Sequence, residues 1–295
     1  MQSNGITCPL AKLFGRSGFR YRLVATKERR IVTAFLLILQ KSKAMAIVMI
    51  TGASSGFGAA TAEIFAQNGY RLILNARRIE RLETLKRMLS ETYSADVLLL
   101  PFDVRDKDAV ATAMDTIPAS WKQIDVLINN AGLAAGRDLF QDGLVDDWEA
   151  MIDTNVKGLL YVTKHAVSGM KERKSGHIIN VSSLAGQEVY PMGNVYCATK
   201  HAVTALSKGL RMDLLPYHIK VTNISPGLAE TEFSMVRFKG DEAKAKAVYE
   251  GFDPLQAKDI ADVIYFAASR PQHMNLEEIT ILPTAQSDSR TVVRG

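Results

Sequence analysis

The stretch IVMITGASSGFG, residues 47–58, constrains the fold of this chain more than any other. Its first five residues, Ile47–Thr51, are apolar or β-branched and predict a buried strand. The alanine-rich segment 59–66 follows a glycine turn and predicts a helix. The three glycines of the turn are Gly52, Gly56 and Gly58. A strand, a glycine turn and a helix in this order form the layout that holds a diphosphate at a helix N-terminus.

The glycines are spaced as G-x-x-x-G-x-G, and each has a physical role in such a turn. Gly52 allows the tight turn, Gly56 lets backbone N–H groups approach phosphate oxygens, and Gly58 lets the helix pack closely on the strand. Ser54 and Ser55 add hydroxyl donors. An ordinary glycine-rich turn has the same spacing, so the interpretation depends on the rest of the chain.

The composition fits one large α/β domain or two small ones, because 295 residues with 47% hydrophobic content can bury a sizeable core. Only two cysteines occur, Cys8 and Cys197, so neither a disulfide framework nor a thiolate metal site is indicated. A reducing compartment, the cytoplasm, is therefore expected. The five histidines show no ligand spacing, and we expect no bound metal. No apolar run reaches the length of a membrane span.

The net charge of +5 comes from the N-terminal segment. Residues 1–44 hold nine Lys or Arg and one acid, Glu28, whereas the remainder holds 27 basic and 30 acidic residues. The globular part therefore gives no nucleic-acid signal. We predict that residues 1–44 are not part of the fold and that 45–295 form one domain. The segment is either an over-extended start, with Met45 as the true initiator, or a targeting peptide, and we favour the first.

Strands and helices alternate along the chain with short links, and a long helical region is predicted between Asp146 and Lys171. After the first strand, the predicted strands are Arg71–Asn75, Val97–Phe102, Ile124–Ile128, His177–Val181, Ile219–Ile224 and Glu277–Leu282. A βαβ rhythm implies a parallel sheet covered by helices on both faces. The sequence thus predicts an α/β class fold, a Rossmann-like, doubly wound parallel sheet in a single domain.

In a doubly wound sheet, ligands lie beyond the carboxyl ends of the strands. Arg77 and Arg78 follow the second strand, where an acid suits an adenosine 2′-hydroxyl and arginine suits a 2′-phosphate. Two arginines and no acid favour NADP(H), although a solvated basic helix start would look the same. Asp103 and Val104 follow the third strand and are expected to border the adenine ring. Asn130, after the fourth, is expected to line the cofactor ribose or brace the sheet.

The chemistry is expected after the fifth strand. Ser183 ends this strand, and Tyr196 and Lys200 lie four residues apart, on one face of the next helix. The pKa of a free tyrosine is near ~10. Lys200 beside the phenol would stabilise the phenolate and lower this pKa towards neutrality. Such pairs arise by chance on many helices, and their position in a nucleotide-binding sheet is what favours a catalytic role.

The chain resembles the short-chain dehydrogenase/reductase family over about residues 45–282. The motifs that carry the likeness are T-G-A-S-S-G-F-G (Thr51–Gly58), D-V (Asp103-Val104), N-N-A-G (Asn129–Gly132), the Asn of D-T-N-V (Asn155), the Ser of V-S-S (Ser183), Y-C-A-T-K (Tyr196–Lys200) and P-G (Pro226-Gly227). Their joint occurrence in this order is highly specific.

The resemblance implies a catalytic tetrad of Asn155, Ser183, Tyr196 and Lys200. Tyr196 would be the acid/base, Ser183 would polarise the carbonyl, Lys200 would bind the nicotinamide ribose and tune Tyr196, and Asn155 would hold a water in a proton relay. Thr231 resembles the residue that fixes the carboxamide. The cofactor would also contact Phe57 in the glycine motif and the pair Pro226 and Gly227. The family further suggests a homotetramer.

Within the family, the chain is similar to the NADP-dependent serine and 3-hydroxy acid dehydrogenases, which also act on L-allo-threonine. The residues that carry this are G-F-G, Arg77-Arg78, D-T-N-V-K-G, G-N-V-Y and T-E-F-S-x-V-R-F-K-G-D (Thr231–Asp241). The resemblance implies an NADP(H)-dependent oxidoreductase acting on a small 3-hydroxy acid, such as 3-hydroxypropionate, or on a β-hydroxy amino acid, such as serine or L-allo-threonine.

The charged segment near 229–250 interrupts the βα rhythm, which fits a mobile helical lid that selects the substrate. Arg237 on this segment could pair with a substrate carboxylate through two hydrogen bonds, and Lys239 is the competing candidate. A solvated amphipathic helix would have the same charges. Two alternative functions stay open: a carbonyl reductase of another ketone or an acyl-carrier thioester, and a non-catalytic NADPH-binding sensor.

Overall fold

The computed structural model describes residues 46–295, and the predictions for residues 1–44 lie outside this range. Seven strands form one parallel sheet in the order β3-β2-β1-β4-β5-β6-β9. The strands of this sheet are β1 Ile47–Thr51, β2 Arg71–Asn75, β3 Val97–Leu99, β4 Ile124–Asn129, β5 Gly176–Val181, β6 Ile219–Pro226 and β9 Glu278–Ile281. Two short strands, β7 Ala229–Glu230 and β8 Leu255–Gln256, pair separately. The predicted doubly wound sheet is confirmed.

Helices connect the strands and cover the sheet. In chain order they are α1 Gly56–Gln67, α2 Ile79–Tyr93, α3 Lys107–Asp115, α4 Val145–Ile152, α5 Leu159–Arg173, α6 Asn194–Leu214, α7 Phe233–Arg237, α8 Glu242–Ala247 and α9 Ala257–Ala268. Helix α1 packs on α9, and α3 packs on α5. Within the described range, none of these helices is long and apolar enough to span a membrane.

The first four residues of the central strand β1 are apolar because both of its faces are buried. Val48 and Ile50 belong to one core cluster, and Ile47 and Met49 belong to the cluster on the opposite face. All four side chains are at most 2% exposed. Alternate residues of a strand point to opposite faces, so a strand covered on both sides cannot show the polar alternation of a half-exposed one.

The chain order reverses at β1, which has β2 on one side and β4 on the other. A crevice opens at such a switch point, beyond the carboxyl ends of the strands. The glycine turn after Thr51 and the segment after Asn129 meet at this crevice. The fold therefore creates the predicted binding position directly beside the glycine motif.

Strand β3 and the helical region between 146 and 171 differ from the sequence predictions. Strand β3 ends at Leu99 rather than at Phe102, because the Asn75 side chain donates to the carbonyls of Leu100 and Phe102 and takes the place of further strand pairing. The long helix expected between 146 and 171 is divided into α4 and α5 by a π-helical stretch, Asp153–Gly158. Such stretches occur frequently at functional sites.

Candidate active site

A cleft of about 670 Å³ opens at the carboxyl edge of the sheet. The predicted site residues that line it are Gly52, Ser54, Ser55, Gly56, Phe57, Arg77, Arg78, Asp103, Val104, Asn130, Ser183, Tyr196, Lys200, Pro226, Gly227, Thr231 and Arg237. Gly58 and Asn155 are not among the lining residues; both support the wall from behind.

The glycine turn leaves no room for side chains. A Cβ atom on Gly58 would lie 2.3 Å from the Gly52 carbonyl oxygen and 2.6 Å from Asn130 Nδ2. Gly56 has a φ of +51°, which favours glycine, and begins helix α1. The turn is fixed to β4, since Asn130 Nδ2 donates to the carbonyls of Thr51 and Gly52 at 2.9 and 3.1 Å. Asn130 thus braces the sheet, one of the two roles expected for it.

The N-terminus of α1 is suited to a diphosphate. Ser55, the residue before the helix, makes no capping hydrogen bond with its side chain. The first N–H groups of a helix lack intrahelical partners and carry a partial positive charge. The tight glycine turn and the uncapped helix end therefore fit the phosphates of a dinucleotide.

Arg77 and Arg78, the two arginines after β2, line the cleft. Arg78 Nη2 donates to Ser54 Oγ at 3.3 Å, and Arg77 Nη1 is 3.9 Å from Asp103 Oδ2. Burial raises the pKa of Asp103, but the hydrogen bonds from Arg105 outweigh this and hold the pKa below its usual value. Asp103 therefore stays ionised, and both of its carboxylate oxygens accept hydrogen bonds from the Arg105 guanidinium.

Two residues beside this group were not found from the sequence. Both carboxylate oxygens of Glu232 accept from Arg81 Nη1 at 2.8 Å. Arg81 lies in the first turn of α2, three residues after Arg78, which immediately precedes that helix. That spacing was a usable signal for Arg81, whereas no local pattern connects it with Glu232.

Asn155 lies in the π-helical stretch and is held on both sides. Its Oδ1 accepts from Leu133 N at 2.8 Å, and its Nδ2 donates to Leu133 O at 2.8 Å and to Thr199 Oγ1 at 3.0 Å. A Cβ on Gly132 would lie 3.3 Å from Asn155 Oδ1 and 3.5 Å from Lys200 Nζ. The structure therefore brings Asn155 beside Lys200.

Tyr196 and Lys200 share one face of α6 and are both buried. Lys200 Nζ donates to Val181 O at 2.9 Å and lies 5.9 Å from the centre of the Tyr196 ring. Burial lowers the pKa of Lys200 to about 8. Ser183 begins the turn after β5, where its Oγ accepts from Ala185 N at 3.1 Å. Ser183, Tyr196 and Lys200 thus converge on one end of the cleft.

The protein groups around Tyr196 do not by themselves lower its pKa. Burial raises this pKa, and Tyr190 adds to the rise, whereas the Ser183 hydroxyl and the charge of Arg237 oppose it. The Lys200 ammonium donates to Val181 O, and the surrounding protein groups do not offset the cost of desolvating a phenolate. The spacing of Tyr196 and Lys200 along the helix did not indicate this rise, because spacing does not report burial.

Arg237 reaches into the cleft, whereas Lys239 does not line it. Arg237 Nη1 donates to Tyr190 Oη at 3.1 Å, and Nε lies 3.4 Å from Gly136 O. Arg237 Nη2 is buried and has no hydrogen-bond partner among residues 46–295. Lys239 Nζ instead pairs with Asp147 Oδ2 at 2.9 Å. A buried guanidinium nitrogen without a partner carries a desolvation cost that an anionic ligand would remove.

We searched residues 46–295 for side chains that could hold a metal ion. No group of three or more His, Cys, Asp or Glu side chains in the described part of the chain could hold a metal ion. His177 Nε2 contacts Thr222 Oγ1 at 2.8 Å, and burial lowers the pKa of His177 to about 3. This histidine is a neutral core residue.

Comparisons with known proteins agree with this arrangement. Residues 46–242 match the family model described as short chain dehydrogenase. The chain is 47% identical to "NADP-dependent 3-hydroxy acid dehydrogenase YdfG" of Salmonella typhi, over 82% of this chain and 96% of the relative. It is 43% identical to "Sulfoacetaldehyde reductase 2" of Chromohalobacter salexigens, over 84% of this chain and 98% of the relative.

A solved structure described as "The Closed form of serine dehydrogenase complexed with NADP+" superposes with a TM-score of 0.80 at 42% identity. The superposition covers 84% of this chain and 99% of that chain. The family match covers most of the described residues and includes the glycine turn, Tyr196 and Lys200. This chain belongs to the short-chain dehydrogenase family.

Proposed function

We propose that this chain is an NADP(H)-dependent oxidoreductase acting on the hydroxyl or carbonyl group of a small 3-hydroxy acid or β-hydroxy amino acid. The observation that carries the proposal is the buried, unpartnered Nη2 of Arg237 in the same cleft as Tyr196. An acid/base next to an anion site suits a substrate that has a hydroxyl and a carboxylate a few bonds apart. The relatives are named for activities of this kind.

The cofactor proposal is supported by the shape and charge of the cleft. The cradle at Gly58 excludes any side chain, and the uncapped α1 offers N–H donors to a diphosphate. Arg77 and Arg78 supply positive charge for a 2′-phosphate, and Ser54 adds a hydroxyl. When bound, the nicotinamide supplies the carbon that donates or accepts the hydride.

Tyr196 is proposed as the proton donor and acceptor for the substrate oxygen. In the reduction direction its phenol gives a proton to the carbonyl oxygen, and in oxidation its phenolate takes the proton from the hydroxyl. Ser183 lies at the same end of the cleft and would hold the substrate oxygen by a hydrogen bond. Lys200 and Asn155 would connect Tyr196 with the ribose and with a water that resupplies the proton.

Arg237 is proposed to bind the substrate carboxylate. Its Nη2 faces no acceptor of the described residues, whereas Nη1 and Nε are already engaged. The carbonyl and the carboxylate would thus be held at two points, so the reacting carbon keeps one orientation. Serine, L-allo-threonine and 3-hydroxypropionate all carry these two groups.

The domain boundaries, assembly and location belong to the same proposal. Residues 45–295 would form the catalytic unit, with 229–250 as a lid.

A homotetramer is supported by apolar side chains that are 39–58% exposed on α4 and the start of α5: Leu144, Val145, Ile152 and Leu160. A second copy would cover them. The cytoplasm is supported by Cys197, a buried free cysteine.

Initial rates with NADP⁺ test the function. Serine, L-allo-threonine and 3-hydroxypropionate should be oxidised, and 3-hydroxypropionamide, which is neutral and similar in shape, should be oxidised much more slowly. A sulfonate alcohol tests whether Arg237 accepts another anion. Faster turnover of the amide than of the acid would favour a carbonyl reductase of neutral ketones. NADPH binding without turnover of any compound would favour a sensor.

A further inference from the structure

An ion pair connects segment 229–250 with the cofactor side of the cleft. Glu232 lies immediately before α7, and both of its carboxylate oxygens accept from Arg81 Nη1 at 2.8 Å. Arg81 is on α2, 151 residues away along the chain. One contact therefore joins the proposed lid to a helix that packs against the sheet.

The pair lies beside the residues proposed for the cofactor phosphates. Glu232 Oε2 is 3.7 Å from Nη2 of Arg78, the arginine that also contacts Ser54. Thr231, the neighbour of Glu232, lies 3.4 Å from the position that a Cβ would take on Gly56. The start of the lid therefore lies against the glycine turn, where the diphosphate of the cofactor is proposed to lie.

Arg81 differs from its two neighbouring arginines in what it faces. Arg77 and Arg78 line the cleft, whereas Arg81 is not among the lining residues. Both carboxylate oxygens of Glu232 accept from the same Arg81 nitrogen, Nη1. Arg81 therefore neutralises a lid carboxylate that would otherwise repel a phosphate held by Arg78.

We propose that Glu232 and Arg81 form a clasp that fastens segment 229–250 over bound NADP(H) and slows its release. The inference rests on the cofactor assigned in the proposed function. The two side chains are 48% and 44% exposed, so water can separate them and the clasp can open in each turnover. An exposed pair contributes modestly, and we expect its loss to change the release rate about two- to fivefold.

The test is a charge-neutral double substitution, Glu232→Gln with Arg81→Gln, made in the full chain. Bound NADPH or NADH is displaced by excess NADP⁺ in stopped-flow fluorescence, which requires no substrate. The double variant should release both cofactors about two- to fivefold faster than the wild type. Both should change equally, because the clasp acts on the lid and not on the 2′-phosphate.

The matched control is Glu83→Gln with Arg87→Gln. Both residues are exposed on α2, the helix that carries Arg81, and neither lines the cleft. This variant has the same change in charge and should release NADPH at the wild-type rate. The reversed pair, Glu232→Arg with Arg81→Glu, should return the release rate to within about twofold of the wild type. Salt should speed release from the wild type more than from the double variant, because it screens exposed pairs.

Two outcomes would overturn the clasp. Release from the double variant at the wild-type rate would show that the pair does not restrain the lid. Faster release of NADPH alone would make Arg81 a ligand of the 2′-phosphate. Neither outcome depends on turnover. Failure of the proposed substrate class would instead appear as no reaction with any hydroxy acid, so the two failures can be told apart.

Discussion

Arg237 donates from Nη1 to the Tyr190 hydroxyl at 3.1 Å, and its guanidinium carbon lies 5.6 Å from the centre of the Tyr190 ring and 5.7 Å from that of Tyr196. The Tyr190 ring is itself fixed, because a Cβ on Gly193 would lie 2.1 Å from its Cε2 atom. The proposed anion site is thus oriented by a tyrosine next to the proposed acid/base.

Arg237→Ala should raise KM for 3-hydroxypropionate and hardly change it for 3-hydroxypropionamide. A charge-assisted pair contributes about 1.5–3 kcal/mol, so kcat/KM for the acid should fall about ten- to a hundredfold. Arg237→Lys should restore only part, since a single ammonium group cannot keep the contacts with Tyr190 and Gly136 and also present a fixed donor to the carboxylate. Lys239→Ala is the control. An equal loss with acid and amide would mean that Arg237 only stabilises the segment.

Tyr190→Phe should weaken binding of the acid without altering turnover of the amide. The ring remains against Gly193, and only the hydroxyl that holds Arg237 is removed. The loss of one hydrogen bond, about 0.5–1.5 kcal/mol, predicts a rise in KM of about two- to twelvefold. Steady-state kinetics with both substrates measure it. A fall in kcat for the amide would instead assign Tyr190 a part in the chemistry.

Tyr196→Phe should remove turnover and preserve NADPH binding. Loss of a positioned acid/base costs at least ~10²–10⁴-fold in rate. Lys200→Met should weaken both rate and NADPH affinity, because Lys200 is proposed to serve both. NADPH titration and single-turnover rates measure these effects, with Tyr161→Phe, outside the cleft, as the control. Near-normal turnover by Tyr196→Phe would exclude this residue as the acid/base.

The pair Arg77→Ala and Arg78→Ala should reduce affinity for NADPH and not for NADH. A charged hydrogen bond to phosphate contributes about 1.5–3 kcal/mol, so the wild type should favour NADPH about ten- to a hundredfold. Titration of both cofactors measures this, and Arg87→Ala, an exposed arginine on the following helix α2, is the control. Equal wild-type affinities for the two cofactors would contradict the assignment.

His177 should make stability depend on pH. Burial lowers its pKa from 6.5 to about 3, so below pH 6.5 the unfolded chain takes up a proton that the folded chain refuses. The free energy of unfolding should therefore fall by about 1.4 kcal/mol per pH unit from this group as pH decreases from 6.5 towards 3. Urea unfolding at pH 7.5, 6 and 5 measures the slope.

His177→Gln should lessen this slope, and His273→Gln, an exposed histidine, should leave it unchanged. Equal slopes for His177→Gln and the wild type would show that other groups cause the acid sensitivity.

Local pattern determined the features that depend on a few neighbouring residues. The glycine spacing of 52, 56 and 58 predicted the cradle, because each glycine acts within one turn. The four-residue spacing of Tyr196 and Lys200 predicted a shared helix face. The apolar or β-branched residues Ile47–Thr51 predicted a buried strand, since a strand covered on both faces has few polar side chains.

Tertiary structure decided what depends on distant residues. The contacts of Arg237 with Tyr190 and of Glu232 with Arg81 join positions 47 and 151 residues apart, which no local pattern encodes. The pKa of Tyr196 depends on desolvation, and burial is a property of the whole packed site. The sequence therefore supplies the reacting groups, and the fold sets their partners and their protonation.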